Sequence, residues 1–168
     1  MDINQDARLR LPRGIRNNNP GNIERDGTRW QGMALRQTDA RFIVFSEPCW
    51  GIRAIARILI TYQDKRRAAD GSRIDTVRKF ISRWAPPAEN NTDAYARTVA
   101  VALGVGVDDP DLDVYDYDTM HGLVSAIIRF ENGAAQSKPD GCWYRDEEIE
   151  EGLRLAGIVP STRHGVAA

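Results

Sequence analysis

The sequence predicts a mainly α (α+β) domain. Three observations carry that prediction: five stretches have apolar residues at helical spacing, one short region near the N-terminus does not, and turn or capping residues separate all of them. With 168 residues, of which 42% are hydrophobic, the chain can bury one core, so a single domain is expected.

Residues 1–12 are polar and charged without a usable period and read as a flexible N-terminal arm; residues 13–158 form the domain, and 159–168 are a C-terminal tail. From Gly14 the chain is dense in Asn, Gly and Pro (GIRNNNPGNI). Short segments around Ile23, Trp30 to Leu35 and Arg41 to Phe45 follow, broken at Asp26-Gly27 and Thr38-Asp39. Asp-Gly is a strong turn signal, so these segments predict a small β-hairpin.

The period then lengthens. Ser46 is a candidate N-cap with Pro48 in the first turn, and Ile52, Ile55, Leu59 and Tyr62 define a helix over about 47–67. A second helix fits Asp75 to Trp84 and must stop at Pro86-Pro87, because proline lacks an amide donor and clashes with the preceding turn. Asn91 or Thr92 can cap a third, with Tyr95, Val99 and Leu103 on one face and Gly104 at its end.

Residues 105–118 hold six aspartates but neither the glycine nor the terminal glutamate of a calcium-binding loop. They read as a solvated acidic loop whose last aspartates cap the next helix. That helix, about 119–131, is largely apolar, and an amphipathic helix near 146–156 closes the domain.

Charge and composition narrow the function. The net charge is −1, yet residues 1–84 hold 17 Lys and Arg against 9 Asp and Glu, while 85–168 hold 6 against 15. A near-neutral total without a basic recognition helix argues against nucleic acid as partner. No apolar run reaches the roughly 18–20 residues of a membrane span, and the start MDINQDARLRLPRG has no secretory stretch, so neither membrane insertion nor self-directed export is expected. Cys49 and Cys142, with His121 and His164, form no CxxC or Cys/His cluster. No metal or cofactor is expected, and whether the two thiols pair is left open.

One residue stands apart. Leu123, Ile127 and Glu131 lie four apart, so Glu131 continues a buried apolar stripe where Asn132-Gly133 ends the helix. A carboxyl group partly withdrawn from water can hold a proton near neutral pH and deliver it to a leaving oxygen. Against this stands an ordinary helix-end glutamate turned to solvent.

AIIRFENG resembles the helix end that carries the single catalytic glutamate in goose-type lysozymes, lytic transglycosylases and bacterial glucosaminidases. NNNPGNI with Trp30-Gln31-Gly32, FIVFSEPCWGIRA and RWAPPAENNTDAYARTV are similar to segments of phage-encoded peptidoglycan-degrading virion proteins and endolysins. Over residues 13–158 this resemblance implies a lysozyme-like helical domain that cuts peptidoglycan glycan strands at the bacterial cell wall. It also implies delivery by a virion or by holin-type release, and a monomer is the default. In autolysin-type glucosaminidases the glutamate helix precedes the Asn-rich segment, the aromatic strand and the Tyr-bearing segment. Here it comes last, so the chain resembles a circular permutation that should bring Glu131 beside Asn19 to Asn22 and Tyr95.

The resemblance gives Glu131 the catalytic role and makes Asn19, Asn22, Tyr95, Trp30, Glu89 and Asn90 candidate substrate contacts. Asn19 and Asn22 would meet N-acetyl groups and Trp30 would be a sugar platform, whereas Trp84 reads as core. Each has a plainer reading: turn chemistry for the asparagines, helical core for Tyr95 and a solvated rim for Glu89. No second acid is clearly specified, unlike two-carboxylate glycosidases with groups about 5–5.5 or 6.5–9.5 Å apart. A one-glutamate lytic transglycosylase giving 1,6-anhydro products fits best. A hydrolytic muramidase, a glucosaminidase and a non-catalytic wall-binding virion module are the alternatives.

Overall fold

Helix α3 (Pro48–Lys65) is the element on which the others converge, because its sides serve two different cores. The computed structural model describes residues 3–88 and 91–162. Within them the helices run α1 (Ile3–Leu9), α2 (Arg13–Arg16), α3, α4 (Val77–Trp84), α5 (Thr92–Leu103), α6 (Tyr117–Asn132) and α7 (Asp146–Leu155). The segment read as an arm thus contains α1, which has Asp6 in its first turn and Arg8 in its last, the polarity a helix dipole favours.

The five long helices follow the predicted periods, and their ends have identifiable causes. Thr76 caps α4 by accepting from the Lys79 amide, Asn91 caps α5 by accepting from Ala94, and Asp116 caps α6 by accepting from Thr119. Gly104 closes α5 in the left-handed region, and α4 stops at Trp84 before the Pro-Pro pair. The cap of α3 differs from expectation. Glu47 occupies that position, while the Ser46 hydroxyl donates to the Gly32 carbonyl.

Ile52, Ile55 and Leu59 of α3 meet Phe80 and Ile81 of α4, Val99 of α5, Leu123 and Ile127 of α6 and Leu153 of α7, all essentially inaccessible to water. α7 lies close on α3 at Gly152, where a Cβ would come within 2.4 Å of Ile52 Cγ2. A smaller core lies beyond α3, where Ala54 meets Ile43 and Phe45, with Trp30, Met33 and Trp50 packed around them. Among the described residues no helix is long and apolar enough to cross a membrane.

The expected β-hairpin does not form. Only two isolated antiparallel bridges, Glu24 with Phe42 and Met33 with Phe45, occur among the described residues. Side chains have taken the place of a ladder. The Asn19 amide donates to the Ile23 and Ile43 carbonyls and accepts from the Ile23 N–H, and Gln37 donates to Ala34 and Val44 and accepts from the Val44 N–H. With those backbone groups already satisfied, the pairing cannot propagate into strands.

Asp39 fastens this region to α2. Both of its oxygens accept from the Arg13 guanidinium at 2.7 Å, and they also take bonds from Asn17 and from the Arg41 and Phe42 amides. The Arg13 bond foremost, helped by the amides, holds the Asp39 carboxyl well below its ordinary range. A depressed folded-state pKa means that this contribution is complete above the unfolded-state value of about 3.9 and is lost as pH falls below it. Asp39→Asn should therefore cost about 1–2 kcal/mol at pH 7, and its deficit against wild type should shrink steadily as urea denaturation is repeated from pH 5 down to pH 2. A deficit independent of pH would show that the carboxylate charge does not matter there.

Candidate active site

α6 delivers Glu131 half-buried in its last turn, following the apolar stripe Leu123–Ile127. Each carboxylate oxygen accepts from one neutral donor: Asn22 Nδ2 lies 3.1 Å from Oε2, and Trp84 Nε1 lies 3.0 Å from Oε1. Among the described residues no Lys, Arg or His forms an ion pair with it. The carboxylate is thus oriented by dipoles and remains partly open to water.

The next residue anchors the loop that carries Asn22. Asn132 is buried, and its amide donates to the Pro20 carbonyl at 2.8 Å and to the Ile128 carbonyl of its own helix at 2.9 Å. Asn22 adopts a left-handed backbone, φ +48°, a conformation that asparagine tolerates better than most residues. Gly14 lets these parts close together. A Cβ on it would lie 2.5 Å from Asn132 Oδ1 and 2.8 Å from both Asn22 Oδ1 and the Asn19 carbonyl oxygen.

Tyr95 of α5 is 8% exposed and stacks on Phe130, with ring centroids 3.9 Å apart and planes 17° from parallel. Its hydroxyl has no hydrogen-bond partner among the described residues. Burial, and secondarily the charge of Glu131, push its pKa far above the usual phenol value, so it stays protonated. A half-buried carboxylate held by two aligned neutral donors can transfer a proton to or from a bound polar ligand.

The fold brings Asn22 into hydrogen-bond contact with Glu131 and sets Tyr95 close enough for the Glu131 charge to act on it. Other candidates lie elsewhere. Asn19 is wholly buried and spends its amide on Ile23 and Ile43, so it is an internal strut and not a sugar contact. Trp30 is no open platform. It packs half-buried on the smaller core, and its indole N–H is buried without a partner among the described residues. Glu89 and Asn90 lie outside the described residues.

Trp84, which periodicity assigns to the core, is the contact of Glu131 that sequence reasoning misses. Its ring packs against the main core while its N–H reaches Glu131. The available signal is chemical: a half-buried indole N–H usually finds an acceptor, and a carboxylate is the strongest one. Among the described residues no three His, Cys, Asp or Glu side chains converge as a metal site, and the free Cys49 and Cys142 form no disulfide. The acidic loop is used structurally, with Asp108 on Arg78, Asp113 on Gln63 and Asp116 as a cap.

Comparison with known proteins adds a relationship. No protein-family model matches the sequence. Protein P5 of Pseudoalteromonas phage PM2 is 37% identical over 144 residues, spanning 84% of this chain and 79% of the phage protein. The chain belongs to the Protein P5 family. A bacteriophage affiliation follows, in agreement with the phage character of the sequence motifs.

Gly14→Ala tests how the site is assembled. The added methyl should cost about 1–3 kcal/mol by overpacking and should displace the side-chain NH2 resonances of Asn22 and Asn132 in a 15N-resolved NMR spectrum. Unmoved resonances would mean that Gly14 does not hold the two amides in place.

Proposed function

We propose that this chain is a peptidoglycan lytic transglycosylase, cleaving the β-1,4 bond between N-acetylmuramic acid and N-acetylglucosamine with Glu131 as the acid and then the base. The observation that carries this reading is the convergence of Glu131 with Asn22, Trp84 and Tyr95 from four separate segments. The lysozyme-like resemblance adds the substrate class. The phage relationship supports a cell-wall target, reached from the virion or through holin-type release.

The steps follow from the donors available. Protonated Glu131 gives its proton to the glycosidic oxygen, the C1–O bond of the muramic acid breaks, and the N-acetylglucosamine leaves with a free 4-hydroxyl. Positive charge developing at C1 is stabilised by the sugar's own acetamido oxygen. The muramic 6-hydroxyl then bonds to C1 while its proton passes to the Glu131 carboxylate, closing the 1,6-anhydro ring and restoring the acid. One titrating side chain suffices because the substrate supplies the nucleophile. Asn22 and Trp84 keep the carboxyl group in register throughout. No second acid is required, which suits a site whose two hydrogen bonds to Glu131 both come from neutral groups.

Mass-resolved chromatography of products released from purified peptidoglycan tests the proposal. The wild type should release anhydro-muropeptides, and Glu131→Gln should lower the rate by about 10²–10⁴-fold, the usual share of a positioned acid–base group. Reducing-end muramic acid would indicate hydrolysis by water, and reducing-end glucosamine a glucosaminidase. Equal activity in the variant would remove Glu131 from the chemistry, and binding without cleavage would leave a wall-binding module.

A further inference from the structure

A trough of about 460 Å³ runs between α5 and α6 directly beside the candidate site. On α5 it is lined by Ala94, Tyr95, Thr98 and Ala102, and on α6 by Ala126, Arg129 and Phe130, residues at the three- and four-residue spacing that forms one face of each helix. The alanines make it a groove where larger side chains would close the helix seam. Its inner end is the Tyr95–Phe130 stack, and Phe130 remains 41% exposed although it is a large apolar ring. Its rim carries the exposed Arg129, whose Nη1 donates to the Gly141 carbonyl at 3.3 Å and which has no carboxylate partner among the described residues.

We infer that this trough seats the peptide stem carried by the muramic acid, with methyl-bearing residues along the alanine floor and a stem carboxylate on Arg129. The inference rests on the proposed function, since Tyr95, which lines the trough and lies within reach of the Glu131 charge, is what joins the two and makes the stem the occupant. Muramic acid bears its peptide on the lactyl group of the same sugar whose C1 reacts. A glycan positioned at Glu131 must therefore direct a short chain of small apolar and acidic groups along the adjoining surface. The trough presents the complementary pair, a narrow apolar floor and one guanidinium at its rim, and a bare sugar would use neither. Arginine matches a carboxylate by two parallel N–H bonds, so it also fixes the direction in which the stem lies. Peptidoglycan would then be distinguished from unsubstituted chitin-like strands by a surface next to the reacting bond.

The test is a binding measurement on the full chain carrying Glu131→Gln, so that it stands independently of turnover. Calorimetry would compare N-acetylglucosaminyl-N-acetylmuramic acid with the same disaccharide bearing its tetrapeptide. The tetrapeptide form should bind about tenfold or more tightly. Adding Arg129→Gln, or Ala102→Trp to fill the trough from an exposed helix position, should bring that ratio close to one. Equal affinities for the two ligands, or a ratio unmoved by both substitutions, overturn the inference even where the wild type cleaves peptidoglycan. A retained ratio without cleavage supports the trough while removing the transglycosylase reading. A dimer in sedimentation velocity that Ala102→Trp converts to monomer also overturns it, assigning the trough to a second copy of the chain.

Discussion

The attachment of the asparagine-rich loop to the C-terminal turn of α6 is the interaction on which the site depends. Pro20 and Asn132 are 112 positions apart, and the Asn132 amide joins the Pro20 carbonyl to the Ile128 carbonyl. A single buried side chain thus links the two parts of the chain that furnish the carboxylate and its Asn22 donor. Buried amides impose a geometry because leaving a donor unmet costs about 1–3 kcal/mol, whereas apolar packing alone tolerates sliding. The close approach at Gly14 allows this link to form, and α3 supports it from below by packing on both sides of the seam.

The helices were legible because each carries its own instructions. Apolar spacing, an Asn or Asp cap and a Gly or Pro stop lie within a dozen residues of one another, and α4, α5 and α6 form close to where those signals lie. The segment from Ile23 to Phe45 is different, since its backbone partners are decided by Asn19 and Gln37. An amide that satisfies two carbonyls at a distance has the same local appearance as an amide in a turn. Short segments broken at Asp-Gly therefore predicted a hairpin where side chains had already taken the ladder positions.

The site was legible to the same depth. Glu131 was marked by its continuation of an apolar stripe, and Asn22 and Tyr95 by resemblance, while Asn19 and Trp30 turn inward and one residue that reads as core, Trp84, reaches Glu131. Trp84 shows the reason. Helical periodicity reports which way a ring faces but not where its single polar atom ends, and that atom reaches the carboxylate. Conversely, Trp30 follows no helical period and reads as surface. Yet the small core around Ile43 and Phe45 exists only in three dimensions and draws the ring in.

For the proposed reaction, the neutrality of both donors at Glu131 matters. An arginine in the position of Trp84 would orient the carboxylate equally well, but its charge would favour the ionised form and deplete the protonated acid that the proposed first step needs. An indole N–H and a side-chain amide fix the two oxygens without adding a charge, and both can remain in place whichever oxygen carries the proton. The strong cationic anchors of the fold are kept away from the site: Arg13 on Asp39 and Arg78 on Asp93 and Asp108 brace loops. The fold thus separates two tasks, holding loops with charge and holding the Glu131 carboxylate with dipoles.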